Sequence, residues 1–163
     1  MKLVTAVVVL AAALALQAGL GAIWPAAYRW VDIMMVPVVC YAVLGSQRSA
    51  MLVGCTAGLT QDAWFQTGTL GLGGFKKTAI GWLLGGLGAR FDVNGRFGAF
   101  VFALLASSCD SLLDFGLRRM LDQPEPFPGI AELSLRALIT GLLVLVAFSL
   151  IQRVHSRRQG YRG

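Results

Sequence analysis

Charge is the scarcest property of this sequence. Charged residues make up 13% of its 163 positions, about half the ~25% that a water-soluble domain uses to cover its surface. Histidine occurs once, as His155, in an arginine-rich run near the end of the chain, so no paired-histidine metal motif exists. The three cysteines, Cys40, Cys55 and Cys109, lie inside apolar segments. Their spacing suits neither a metal nor a disulfide framework, and they read as small hydrophobes. There is no G-x-S-x-G elbow and no phosphate loop, and Gly71-x-Gly73 lacks the strand that would make it part of a nucleotide fingerprint. Membrane phosphatases and phosphatidyl transferases would need clustered acidic or histidine motifs that are missing. The residues point to a non-enzymatic protein with no cofactor and no metal.

Apolar residues are abundant, at 56% of the chain. From Leu3 to Tyr28 no charge interrupts them, a longer run than the roughly 20 residues that cross a bilayer. A cleaved signal peptide would fit Lys2 and the small residues near Ala18, but its apolar core would be only about 7–15 residues long. The pattern predicts a single all-α integral membrane domain over 1–163, with about six spans at 3–23, 31–45, 49–64, 70–89, 97–117 and 130–151. A basic tail follows at 152–163.

The breaks have local causes. Trp24-Pro25 and Tyr28-Arg29-Trp30 are residues of a membrane interface. Gly45-Ser46-Gln47-Arg48-Ser49 is a turn signal, Gln61-Asp62 closes the third span, and residues 90–96 separate the fourth from the fifth. Alternate prolines at Pro124, Pro126 and Pro128 exclude helix and predict a stiff, extended loop. Spans two and three are short, leaving a hairpin, one long tilted helix or a re-entrant pair open. The hairpin is preferred, because Gly45 and Arg48 would be poor neighbours at a bilayer centre. Pro37 sits where it can begin or bend span two.

The formal net charge of +6 does not mark a nucleic-acid binder, because Arg153, Arg157, Arg158 and Arg162 follow an apolar segment. Such a tail sets topology and has affinity for anionic membrane lipid. With the N-terminus inside, the inner side carries Lys2, Arg48, Arg90, Arg96 and those four arginines. The outer side carries Arg29, Arg118 and Arg119. Eight against three predicts that both termini are cytoplasmic.

Two groups of residues inside the spans stand out. Gly74, Gly81, Gly85 and Gly88 share one face of span four, and Gly54 and Gly58 repeat the small-xxx-small spacing in span three. In lipid such faces let helix backbones approach closely, so they are predicted to be packing surfaces rather than a flexible or re-entrant segment. The second group is ionisable: Asp62, Lys76, Lys77, Asp110, Asp114, Arg118, Glu132 and Arg136. Under the N-in topology all of them fall in the outer half of the membrane, where opposite charges at one depth can neutralise each other. The group reads either as an ion path or small-molecule site, or as a structural polar network near the interface. The mixture of signs and the off-centre depth favour the network.

The run Gly54-Cys-Thr-Ala-Gly58-Leu59-Thr-Gln-Asp62-Ala, then Thr67-Gly68-Thr-Leu70-Gly71-Leu, then Lys77 and Gly81-Trp-Leu, resembles the MreD family. That family is the small membrane subunit of the bacterial rod-shape machinery, the elongasome. The upstream Trp30-Val-Asp-Ile-Met-Met-Val-Pro, Asp110 and the basic C-terminal tail also fit, so the resemblance covers most of the chain. The Pro124–Pro128 loop and the second carboxylate, Asp114, depart from it. The resemblance implies a non-enzymatic scaffold of cell-shape determination and lateral peptidoglycan synthesis in the bacterial inner membrane. It also implies binding to MreC within the membrane and, through it, links to MreB, RodA and a class B penicillin-binding protein. The implied fold resembles the six-helix substrate-binding subunits of energy-coupling-factor transporters. Those supply the alternative reading, a vitamin-type small-molecule binding subunit. Such subunits dock a partner through an Ala-x-x-x-Ala face, for which Ala11 and Ala15, or Ala18 and Ala22, would serve.

Overall fold

The computed structural model describes residues 3–24, 30–65, 71–91, 95–122 and 129–160. Six helices of ten or more residues, and no strands, are found among them: α1 Leu3–Ile23, α2 Met35–Leu44, α3 Gln47–Phe65, α4 Leu72–Arg90, α5 Arg96–Met120 and α6 Ile130–Gly160. Three of them, α1, α5 and α6 up to Arg153, are long and apolar enough to cross a membrane. The Pro124–Pro128 loop, Pro25, Tyr28, Arg29 and the Thr67–Leu70 segment lie outside the described residues.

The hairpin expected of spans two and three forms, and its turn is set by serines. Gly45 donates its N–H to the Tyr41 carbonyl and ends α2. Ser46 then caps α3: its hydroxyl accepts from the Ser49 N–H at 3.3 Å, and the Ser49 hydroxyl accepts from the Ser46 N–H at 2.9 Å. This is a reciprocal capping box built from two serines. Pro37 falls in the first turn of α2, where its missing N–H costs nothing, so it begins the helix and does not bend it. At 10 residues, about 15 Å long at ~1.5 Å per residue, α2 is shorter than a span. Every residue from Met35 to Val43 except Val36 is buried, because α3, α4, α5 and α6 all pack against it.

The glycines of α3 and α4 let these two helices run antiparallel at backbone contact. A methyl group added at Gly54 would collide with the Lys77 carbonyl, at Gly58 with the Gly73 carbonyl, and at Gly81 with the Ala50 carbonyl. Gly74 is covered by Leu59 and Gly85 by Gln47, whereas Gly88 faces the Ala42 carbonyl of α2. The predicted packing faces are therefore interfaces, and Gly73, left out of the sequence reading, belongs to them.

Each of the longer helices keeps one face inward. In α5 this is Ala99, Phe102, Ala103, Ala106, Ser107, Asp110 and Ser111, spaced three and four apart. In α6 Ala137, Thr140, Val144 and Phe148 face in, while Leu138, Leu142, Val146 and Leu150 face out. Much of the outward surface along the helices is apolar: Val4 is 71% exposed and Phe97 80%. Asp32, Lys76, Lys77 and Asp110 are buried inside, where a water-soluble domain seldom places charge. The helix α1 is attached by one edge only, with Ala13 and Gln17 buried and Ala11 and Ala15 on its outward side. The last helix does not end at residue 151. It continues through Arg153 and Arg157 to Gly160, because no proline or glycine interrupts 142–159.

Candidate functional site

The site is a layer of charges that joins α2, α4, α5 and α6. Consecutive residues of an α-helix point about 100° apart, so the adjacent Lys76 and Lys77 serve different neighbours. Lys77 turns toward the start of α2, where its Nζ donates to Asp32 Oδ2 at 2.5 Å. Lys76 turns toward α5, donating to Asp114 Oδ1 at 2.5 Å and lying 3.6 Å from Asp110 Oδ1. From α6, Arg136 Nη2 donates to Asp110 Oδ2 at 3.1 Å and stands 3.8 Å from Asp32 Oδ2. Arg118 completes the row by donating Nε–H to Asp114 Oδ2, one turn away, at 2.8 Å.

Burial decides how these contacts are read. Asp110 is 1% exposed, Lys77 2% and Asp32 3%. An exposed ion pair contributes little, whereas a buried charge without a partner is strongly destabilising. Lys76, Lys77, Arg118 and Arg136 meet Asp32, Asp110 and Asp114. Glu132, one turn before Arg136 in α6, brings the tally to four of each sign. The layer is electrically neutral and holds four helices at one level.

Asp62 has a different place from the one expected. It closes α3 and reaches over the N-terminus of α4, where Oδ2 accepts the N–H groups of Gly71 at 3.0 Å, Gly73 at 2.8 Å and Gly74 at 3.3 Å. The first amides of a helix have no partner inside it, and a carboxylate satisfies them while matching the positive end of the helix dipole. Gly71 has φ +99°, a left-handed conformation that glycine adopts without strain. A side chain at Gly73 would strike the Asp62 carboxylate. The glycines of this junction and Asp62 thus form one device that closes the α3–α4 hairpin.

Sequence reasoning missed Asp32. It lies outside the regular part of α2 and was not among the expected ionisable group, although the Trp30-Val-Asp run had marked it. Gln17 was also missed: its Oε1 accepts the Met34 N–H at 3.1 Å and ties α1 to the segment that carries Asp32. Four buried polar atoms have no hydrogen-bond partner among the described residues: Asp32 Oδ1, Asp110 Oδ1, Tyr41 Oη and Thr140 Oγ1. No group of three or more His, Cys, Asp or Glu able to hold a metal occurs among the described residues.

No family model matches this chain, and no curated protein or solved structure is similar enough to count as a match.

Proposed function

We propose that this chain is a membrane-embedded, non-enzymatic scaffold subunit of the MreD type. In this reading it associates with MreC in the bacterial inner membrane and works with the cell-wall synthases of the elongasome. One observation carries the reading: the residues that give the resemblance are the ones that join the helices. Gly54, Gly58 and Gly81 lie at the α3–α4 contact, Asp62 caps α4, and Asp32, Lys77 and Asp110 are buried in the ionic layer. The positive and negative side chains of that layer are taken up by each other. This suits a rigid body whose outward faces contact other membrane helices.

In this proposal all six helices sit in the bilayer with both termini cytoplasmic, α2 being a short helix held inside the protein. The alternating directions of the helices support it. Arg96 at the start of α5 reaches Gln152 late in α6 at 3.5 Å, and Asp110 farther along α5 meets Arg136 early in α6. The charges therefore gather toward one face of the membrane.

The alternative, a small-molecule binding subunit of an energy-coupling-factor transporter, draws on Asp32 Oδ1 and Asp110 Oδ1, two buried acceptors with no donor among the described residues. The test is purification of the tagged chain from its native membrane in mild detergent, with identification of co-purifying proteins. Recovery of MreC and cell-wall synthases is the expected result. Recovery of transporter ATPases in their place would replace the scaffold reading by the alternative.

A further inference from the structure

The two ends of the bundle treat their cations differently. At the end holding the ionic layer, Lys76, Lys77, Arg118 and Arg136 all sit on carboxylates, while Arg119 is exposed and forms no ion pair among the described residues. At the other end Arg48 opens α3, Arg90 closes α4, Arg96 opens α5 and Arg153 lies late in α6. All four are exposed, and none of Arg48, Arg90 and Arg96 forms an ion pair among the described residues. The sequence around Arg48, Arg90 and Arg96 offers little to neutralise them: segments 45–49 and 89–98 contain three arginines and one carboxylate, Asp92.

The fold also brings the elements that carry these arginines to one end of the bundle. Gln47, beside Arg48, donates Nε2–H to the Trp82 carbonyl of α4 at 3.0 Å. Arg96 donates Nε–H to Gln152 Oε1 at 3.5 Å, which places it next to the residue preceding Arg153. Beside Arg90 and Arg96 stand two aromatic side chains directed outward, Phe91 at 61% and Phe97 at 80% exposure. A cationic cluster edged by exposed aromatics at the end of apolar helices matches a phospholipid with an anionic headgroup. The guanidinium groups meet the phosphate, and the rings lie at the level where headgroup meets acyl chain.

We propose that this end of the bundle is a binding surface for anionic phospholipid, built from Arg48, Arg90, Arg96 and Arg153 with Phe91 and Phe97 at its edge. Sidedness of basic residues would by itself require only that they lie on one side of the membrane. The surface described here also predicts selectivity among lipids. The inference rests on the membrane reading of the chain but not on its partners.

The test uses the full chain, purified in mild detergent and stripped of lipid, with thermal unfolding followed as lipid is added. Phosphatidylglycerol is expected to raise Tm at low salt and less at high salt, because a ligand that binds only the folded state stabilises it. Phosphatidylcholine is expected to leave Tm unchanged, as is inorganic phosphate at the same concentration. Replacing Arg90→Gln with Arg96→Gln should weaken phosphatidylglycerol binding about 25-fold, at roughly fivefold per arginine. Arg48→Gln with Arg153→Gln, the second variant should the first not fold, should do the same. Arg119→Gln, at the opposite end, should bind as the unaltered chain does. Equal shifts with both lipids, a shift with phosphate alone, or unchanged binding in a folded double variant would overturn the inference. Failure of the chain to sediment with membranes would instead overturn the membrane reading beneath it.

Discussion

Asp32 and Lys77, 45 residues apart in the chain, meet in the interior at 2.5 Å, with both side chains at least nineteen-twentieths buried. The pair fixes the start of α2 to the second turn of α4. Removing Lys77 leaves Asp32 with only the more distant Arg136 at 3.8 Å, and removing Asp32 leaves the buried Lys77 without its hydrogen-bonded partner, a loss of up to about 3–5 kcal/mol. Lys77→Met and Asp32→Leu should each lower the unfolding midpoint in detergent strongly. The double variant should lose less than the sum of the two. Additive losses would show that the two charges do not depend on each other.

Asp110 is held by Arg136 at 3.1 Å and approached by Lys76 at 3.6 Å. Asp110→Asn keeps hydrogen-bonding capacity in place and should be milder than Asp110→Leu, which takes from Arg136 its nearest carboxylate and from Lys76 its second. Levels of folded protein, read by fluorescence-detected size exclusion, check the order. Equal behaviour of the two variants would place the carboxylate outside the stabilising layer.

The α3–α4 contact has no room for a methyl group at Gly58, whereas Gly116 in α5 has nothing within 4 Å of the corresponding position. Gly58→Ala should destabilise by about 1–3 kcal/mol through overpacking against backbone. Gly116→Ala should be neutral or stabilising by up to ~1 kcal/mol, since alanine favours helix over glycine. Thermal unfolding of the two variants side by side makes the comparison. A silent Gly58→Ala would mean that the two helices do not touch there.

Asp62→Ala removes the acceptor for three amides at the start of α4. Loss of a helix cap costs about 0.5–2 kcal/mol. Asp62→Asn retains an acceptor oxygen and should recover part of the loss. Hydrogen exchange at Gly73 and Gly74 should quicken in the alanine variant, and unchanged protection there would remove Asp62 from this role.

Orientation can be read with fusions at Gly163. A reporter active only in the cytoplasm should be active there, and a periplasmic reporter silent. The opposite pattern would invert the proposed arrangement and place the ionic layer on the inner side.

Much of the fold was legible because its signals are local. Apolar runs, Gly45 with Ser46, and the α3 and α4 glycines mark elements and contacts without reference to the rest of the chain. The ionic layer was legible as to depth, since Lys76, Asp110, Asp114 and Arg136 fall at one level once the helices alternate. Pairing was not. Whether Lys77 faces α5 or α2 depends on the rotation of α4, which is set by Gly54, Gly58 and Gly81 pressing on α3. Asp62 shares the depth of the other charges but is drawn to the unpaired amides of α4, a nearer demand than a distant cation. The helix of α6 runs on through the basic residues after 151, since arginine is itself a good helix former.

The shortness of α2 has a consequence for the order of assembly. A helix of 10 residues is too brief to rest across a bilayer alone while the chain is still being made. It also follows Asp32, whose two cationic neighbours, Lys77 and Arg136, belong to α4 and α6. In the proposed six-span arrangement the segment would enter the membrane as the lesser arm of a hairpin with α3 and stay provisional until α4 closes beside it. It would settle only when α6, which follows it in the sequence, supplies Arg136. In that arrangement residues 32–44 would reach their final surroundings only once α6 is in place, and truncation before α6 should leave Cys40, buried in the structure, accessible to a thiol reagent.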